Sequence, residues 1–158
     1  MTATNLQEAL AENIRQIFHY DMFMDSTGEY VPLRVFEQGL PIRKDEDESD
    51  PVPYVIVRIE DAEVKGWTEA QIVETSLLIG CFDDDTNNVG HKTVLGIIQR
   101  IEERFFKNPM LASQFMFLND DQHPFDWALQ DEESFPYYFG AVRMYFNTPA
   151  IRKEDKYA

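Results

Sequence analysis

Apolar and polar positions recur along this chain with two different periods, and the switches between them outline its elements. From Thr4 to Phe18, the residues Leu6, Leu10, Ile14, Ile17 and Phe18 fall at helical spacing, which predicts an amphipathic helix that buries one face. Thr4 followed three residues later by Gln7 predicts a capping box at its start. Residues 19–52 hold no sustained period. Within them Tyr30 to Phe36 is expected as a short extended piece, confined to a sheet edge by Pro32. From Tyr54 the period becomes two. Val55, Val57 and Ile59 share one side, with Tyr54, Ile56, Arg58 and Glu60 on the other. A longer strand is predicted from about Ala70 to Phe82, where Val73, Thr75, Leu77, Ile79 and Cys81 oppose Ile72, Glu74, Ser76, Leu78 and Gly80. With the Lys65-Gly66 turn between them, the two strands read as an antiparallel hairpin.

After the polar stretch Asp83 to Asn88 the period turns helical again. Val94, Ile97, Ile98, Ile101 and Phe105 make one apolar stripe, and Gln99, Arg100, Glu103 and Lys107 face away. Glu103 and Lys107 stand at i,i+4 spacing, a favourable pair, and Asn108-Pro109 stops the helix. A strand over Phe115–Asn119, a loop over 119–136 rich in aromatic and acidic residues, and a last strand over Tyr137–Asn147 complete the pattern. In that last strand Val142, Met144 and Phe146 alternate with Ala141, Arg143 and Tyr145. The predicted order is α-β-β-α-β-β. Two helices, each with one apolar stripe, packed on a mainly antiparallel sheet make an α+β fold of the two-layer sandwich type. Residues 1–150 read as one domain, followed by a charged and frayed tail over 151–158.

Composition narrows the function. Twenty-nine Asp and Glu against 14 Lys and Arg leave a formal net charge of −15. Nucleic-acid binding draws on cations that displace counterions, so no sequence-specific nucleic-acid partner is expected. Docking on anionic membranes is disfavoured for the same reason. No run of apolar residues is long enough to span a bilayer, and no signal peptide is expected at the N-terminus. Arg43 to Asp50 concentrates acid into a solvated loop over 45–50. A single cysteine, Cys81, precludes an intrachain disulfide.

Candidate chemistry is sparse. Asp83, Asp85 and Asn87 begin like a calcium loop, but an EF-hand starting at Asp83 requires Gly and Glu where Asn88 and Val94 stand. A looser divalent-metal site on Asp83, Asp85 and Asn87 competes with an ordinary strand-to-helix turn, the commoner use of such residues. His19, His91 and His123 lie in three separate regions without ligand spacing. Cys81 sits beside Ile79 on an apolar strand face, where a free thiol behaves as a small hydrophobe. No nucleophile elbow, P-loop or dinucleotide fingerprint is present. The chain is expected to be non-catalytic and to need no cofactor. The candidate contacts are instead those of an interface, where aromatic residues and Arg are enriched. They comprise Tyr54, Ile56 and Arg58 on one strand, Arg143 and Tyr145 on another, and Phe125, Trp127 and Tyr137 in and after the aromatic loop.

The succession of elements carries a resemblance. A first helix leads to the proline-led strand Pro53-Tyr54-Val55-Ile56-Val57-Arg58, then to the long strand ending Ile79-Gly80-Cys81-Phe82-Asp83. The helix Val94-Leu95-Gly96-Ile97-Ile98-Gln99-Arg100-Ile101 and a strand closing in Tyr145-Phe146-Asn147-Thr148-Pro149 follow. Over about residues 5–150 this order resembles the tail-terminator, or tail-completion, proteins of long-tailed bacteriophages and related prophages. The resemblance implies a structural virion assembly protein that caps the tail tube, ends its polymerisation and offers a surface for joining the head. It implies a ring of usually six subunits, with the chain itself, the tail tube protein and the head-neck connector proteins as partners. DNA would pass through the lumen. The place implied is the host cytoplasm during assembly and then the tail-neck region of the virion. Two other readings compete. One is an acidic DNA-mimic inhibitor of a DNA-processing enzyme, which would account for the net charge directly. The other is a small divalent-metal enzyme built on Asp83 to Asn87.

Overall fold

The computed structural model describes residues 2–42 and 50–150. Most of the acidic loop and the whole of the charged C-terminal tail predicted above lie outside the described residues.

Among the described residues two helices and nine strands make a mixed α+β fold whose sheet is mostly antiparallel and curled. Helix α1 (Ala3–Ile17) buries Leu6, Leu10, Ala11 and Ile14 completely. Its cap is not the predicted one. Thr2 is the N-cap: its side chain accepts from the Asn5 N–H at 3.2 Å, and the Asn5 side chain accepts from the Thr2 N–H at 3.1 Å. Gln7 is drawn elsewhere, donating to the Val57 carbonyl and to Gln38, both at 2.9 Å, so Thr4 has no partner for a box. Helix α2 (His91–Lys107) buries the predicted stripe of Val94, Ile97, Ile98, Ile101 and Phe105. Glu103 and Lys107 are not among the ion pairs of the described residues.

The region expected to be irregular holds three short strands. β1 (Met22–Met24) and β2 (Tyr30–Pro32) pair antiparallel as a separate two-stranded sheet, and β3 (Arg34–Glu37) joins the main one. The expected Tyr30–Phe36 piece is therefore two strands in two sheets. β4 (Tyr54–Glu63) and β5 (Gln71–Phe82) form the predicted antiparallel hairpin, with one irregularity between Ile59 and Asp61. Past α2 come β6 (Met110–Leu111), β7 (Phe115–Leu118), β8 (Asp126–Leu129) and β9 (Tyr137–Thr148). The main sheet runs β3-β4-β5-β9-β7-β6, with β8 also beside β9. The observed element order thus exceeds the predicted α-β-β-α-β-β by five short strands. Among the described residues only β3 pairs in parallel, with β4.

Both helices pack on one face of the sheet. Val55, Val57, Val73, Leu77, Ile79, Val142, Met144 and Phe146 point toward them and join one core cluster with both stripes. Phe105 meets Phe117 and Phe146 with ring centroids 5.6 and 5.5 Å apart, so three elements lock at one point. Among the described residues two polar side chains are buried on this inner face: the Thr75 hydroxyl donates to the Met144 carbonyl at 2.9 Å and the Thr148 hydroxyl to the Gln71 carbonyl at 3.1 Å.

The free edge of β3 is guarded. The Arg34 and Gln38 N–H groups donate inward to Pro53 and Val57, which leaves the Val35 and Glu37 backbone groups facing away from β4. Both outward carbonyls are taken: Arg15 donates to that of Val35 at 3.0 Å, and the Gly39 N–H to that of Glu37 at 2.8 Å. The second bond closes a tight turn at Gln38, whose φ is 67°, a left-handed backbone that ends the strand.

Candidate interaction surface

The face of the sheet turned away from the helices gathers most of the residues that the sequence singled out. Its composition follows from strand register. Phe36, Ile56, Leu78, Ala141 and Ala128 lie side by side across β3, β4, β5, β9 and β8. One step along, Tyr54 pairs with Gly80 and Gly80 with Phe139. At that end Phe82 stacks edge-on against Tyr137, centroids 5.5 Å apart. The other direction is charged. Arg58, Ser76, Arg143 and Asp126 form one row, and Asp61, Glu74, Tyr145 and Leu118 the next. The face is therefore apolar at one end and ionic at the other.

Tyr54 and Gly80 are coupled by shape. A β-carbon at Gly80 would overlap the Tyr54 ring, so the ring lies flat over the glycine, as aromatic side chains do across a strand pair. Burial there raises the Tyr54 phenol above its ordinary value of 10.0, with Cys81 adding to the effect.

The ionic end is a shared network. Arg143 binds Asp126 directly and lies 3.8 Å from Glu74; the hydrogen bond it donates to the Asp126 carboxylate is the main reason its pKa is raised. The Tyr145 hydroxyl donates to Glu74 at 3.2 Å. Desolvation and then Glu74 raise its pKa, because each disfavours the phenolate. Arg58 lies 3.2 Å from Glu60, which also accepts from the Ser76 hydroxyl. The turn at 120–123 reaches this end, where His123 stacks on Tyr145 with centroids 5.3 Å apart. His123 is held by Asp120 at 3.0 Å.

Tyr54, Ile56, Arg58, Arg143 and Tyr145 thus share one face, with Tyr137 at its apolar end. Phe125 and Trp127 do not join them. Phe125 packs on the core, its ring 5.6 Å from Phe106 and 6.0 Å from Phe117. Trp127 stands opposite Val142 in β8 and so falls on the helix side. For Trp127 the reason is that the supposed loop contains a strand, β8, whose alternation sends Trp127 and Leu129 inward, and Phe125 directly precedes that strand. Phe36 and Phe139 complete the face and were missed. Extending the period-two alternation of β9 back two residues from Ala141 would have found Phe139.

Asp83, Asp85 and Asn87 form linked turns. The Asp83 carboxylate accepts from the Asp85 N–H and that of Asp85 from the Asn87 N–H, both at 2.9 Å. Among the described residues no three His, Cys, Asp or Glu side chains converge as metal ligands do. Cys81 is buried, and desolvation pushes its thiol up to about 12. Among the described residues no helix is long and apolar enough to cross a membrane. The chain matches no family model, and no curated protein matches it.

Proposed function

We propose that this chain is a ring-forming tail-completion protein, in which copies join through the outer sheet face and the finished ring caps a tail tube. The observation that supports this reading is the division of that face. Leu78 and Phe139 supply half-buried apolar contact area around a buried Ile56, and Arg143, Glu74 and Arg58 supply charges of both signs beside it. Apolar cores bordered by paired charge are how protein contacts gain both area and register. In this reading the helices and the curled sheet are the two layers of the ring wall, and a head-to-tail contact closes the ring. The net charge of −15 suits a lumen along which DNA passes without adhering, since like charges repel. The chain acts by shape and needs no catalysis.

The test is assembly. Purified chain is mixed with a polymerising tail tube protein, and tube lengths and end density are read by negative-stain microscopy, with light scattering for the free chain. Shortened tubes bearing a terminal ring are expected. Arg143→Ala, at an exposed position, should keep the thermal melt near that of the parent and lose the capping. Unchanged tube lengths together with a strict monomer would overturn the reading. So would a monomer that instead binds a DNA-processing enzyme in a salt-sensitive way, which is the behaviour of a DNA mimic.

A further inference from the structure

The edge of the sheet at β8 is built differently from the guarded edge at β3. β8 pairs with β9 alone. The Gln130 N–H donates to the Phe139 carbonyl at 3.0 Å, and this fixes the phase of the antiparallel ladder, in which bonded and non-bonded pairs alternate. Ala128 and Asp126 therefore turn their backbone groups toward β9. Trp127 and Leu129 turn theirs outward, and no hydrogen bond is made to those groups by any described residue. The neighbouring stretch of the same edge shows what belongs there. β7 also lies beside β9, and β6 occupies the position beyond it. Beyond β8 no described residue pairs at that position.

A groove of about 510 Å³ adjoins the position beyond β8. Leu95, Ile98 and Phe106 of α2 form one wall and Trp127 the other, with Glu102 and Glu103 on the rim. Phe106 and Trp127 are 49% and 47% exposed, large apolar rings left open to water. Neither rim glutamate takes part in an ion pair or side-chain hydrogen bond with a described residue. Backbone donors and acceptors, an apolar trough and unpaired negative charge converge on one place.

We infer that β8 and its groove form a strand-addition site for an extended segment of a partner protein, with apolar residues at alternate positions and Lys or Arg between or beside them. The added segment bonds to the Trp127 and Leu129 backbone and continues the line of β6. Its inward side chains enter the trough between Trp127 and α2, and its cations meet Glu102 and Glu103. Main-chain bonds supply affinity and the trough supplies selectivity, as in other strand-addition sites. An acidic occupant is excluded by the rim. The site stands whether or not the chain forms a ring.

The probe is a labelled peptide of alternating valine and lysine, capped at both ends, titrated against the full chain and read by fluorescence anisotropy. Two companions control it: the same peptide N-methylated at alternate amides, made in both phases, and a valine–glutamate version. Saturable binding is expected for the parent peptide and for one methylated phase. The other phase, which blocks the edge-facing amides, should bind at least about tenfold more weakly, as loss of two backbone hydrogen bonds requires. The glutamate peptide should not bind. Trp127→Ala and the double change Glu102→Gln with Glu103→Gln should each weaken binding several-fold. Equal binding by both methylated phases would mean simple charge attraction and overturn the proposal. Full affinity in the Trp127→Ala chain, or no binding by the parent peptide, would do the same.

Discussion

The Tyr54–Gly80 pair makes a prediction about stability that tests the outer face directly. Gly80→Ala places a methyl where the Tyr54 ring lies. Either the strands shift or the ring leaves, and overpacking of this kind costs about 1–3 kcal/mol. Tyr54→Ala alone removes a partly buried aromatic, at a cost of about 2 kcal/mol, roughly half that of a fully buried ring. In the double variant the obstruction is gone. There the alanine at position 80 is favoured over glycine within a strand by about 0.5–1 kcal/mol. The two changes are therefore strongly non-additive, with a coupling of about 2 kcal/mol or more. Urea unfolding of the four proteins measures it. With a slope of about 2 kcal/mol per molar urea, the double variant should unfold about 1 M above the additive expectation. A second reading comes from the phenol. If Gly80→Ala expels the ring, Tyr54 loses the burial that raises its pKa and titrates closer to its ordinary 10.0, visible by ultraviolet difference absorption. Additivity within about 0.5 kcal/mol would refute the coupling and with it the described geometry of the face.

Cys81 predicts an alkaline dependence. Its folded pKa of about 12 lies above the ordinary 9.0, so its contribution is complete below pH 9 and lost as pH rises toward 12, where the unfolded thiol ionises first. Cys81→Val should flatten that part of the stability curve, and in the parent a thiol reagent at pH 8 should react only as fast as the chain unfolds. The Asp83 to Asn87 turns predict indifference to metal. Millimolar magnesium, manganese, calcium or zinc should leave the melting temperature unchanged, and a clear rise with any ion would restore a metal site there. Asp85→Ala, which removes the acceptor for the Asn87 N–H, should lower stability by about 1 kcal/mol through loss of the turn.

The elements legible in the sequence were those long enough to show a period. α2, β4, β5 and β9 each repeat their pattern over ten or more residues. The strands that escaped are short: β1, β6 and β8 have two to four residues each, and β2 and β3, three and four residues long, read in the sequence as one extended piece. β3 is also held by a parallel partner, and no local signal announces a pairing made across an intervening loop. The cap of α1 illustrates competition between equals. Thr2 with Asn5 and Thr4 with Gln7 have the same spacing, and the choice fell to the side chain not needed by Val57 and Gln38. The candidate surface follows the same rule. Tyr54, Ile56, Arg58, Arg143 and Tyr145 fall together because they sit on periodic strands, whereas Phe125 and Trp127, read as part of a loop, lie on the helix side of the sheet.

The three edges of the main sheet, β3, β6 and β8, also set its valence; at β6 the Met110 N–H donates to the Asn108 side chain and the Met110 carbonyl accepts from Arg104. At β3 the outward carbonyls are already spent on Arg15 and Gly39, so that margin has little to offer a newcomer. At β8 the margin is unspent. A chain whose margins at β3 and β6 are taken up internally and whose margin at β8 is receptive can accept a strand but has no matching margin with which to hand the pairing on. Edge-to-edge growth therefore terminates at the first addition, which protects an acidic, aromatic-rich chain from stacking into fibres. Any larger assembly of copies must be built through faces, where size is limited by geometry rather than by supply.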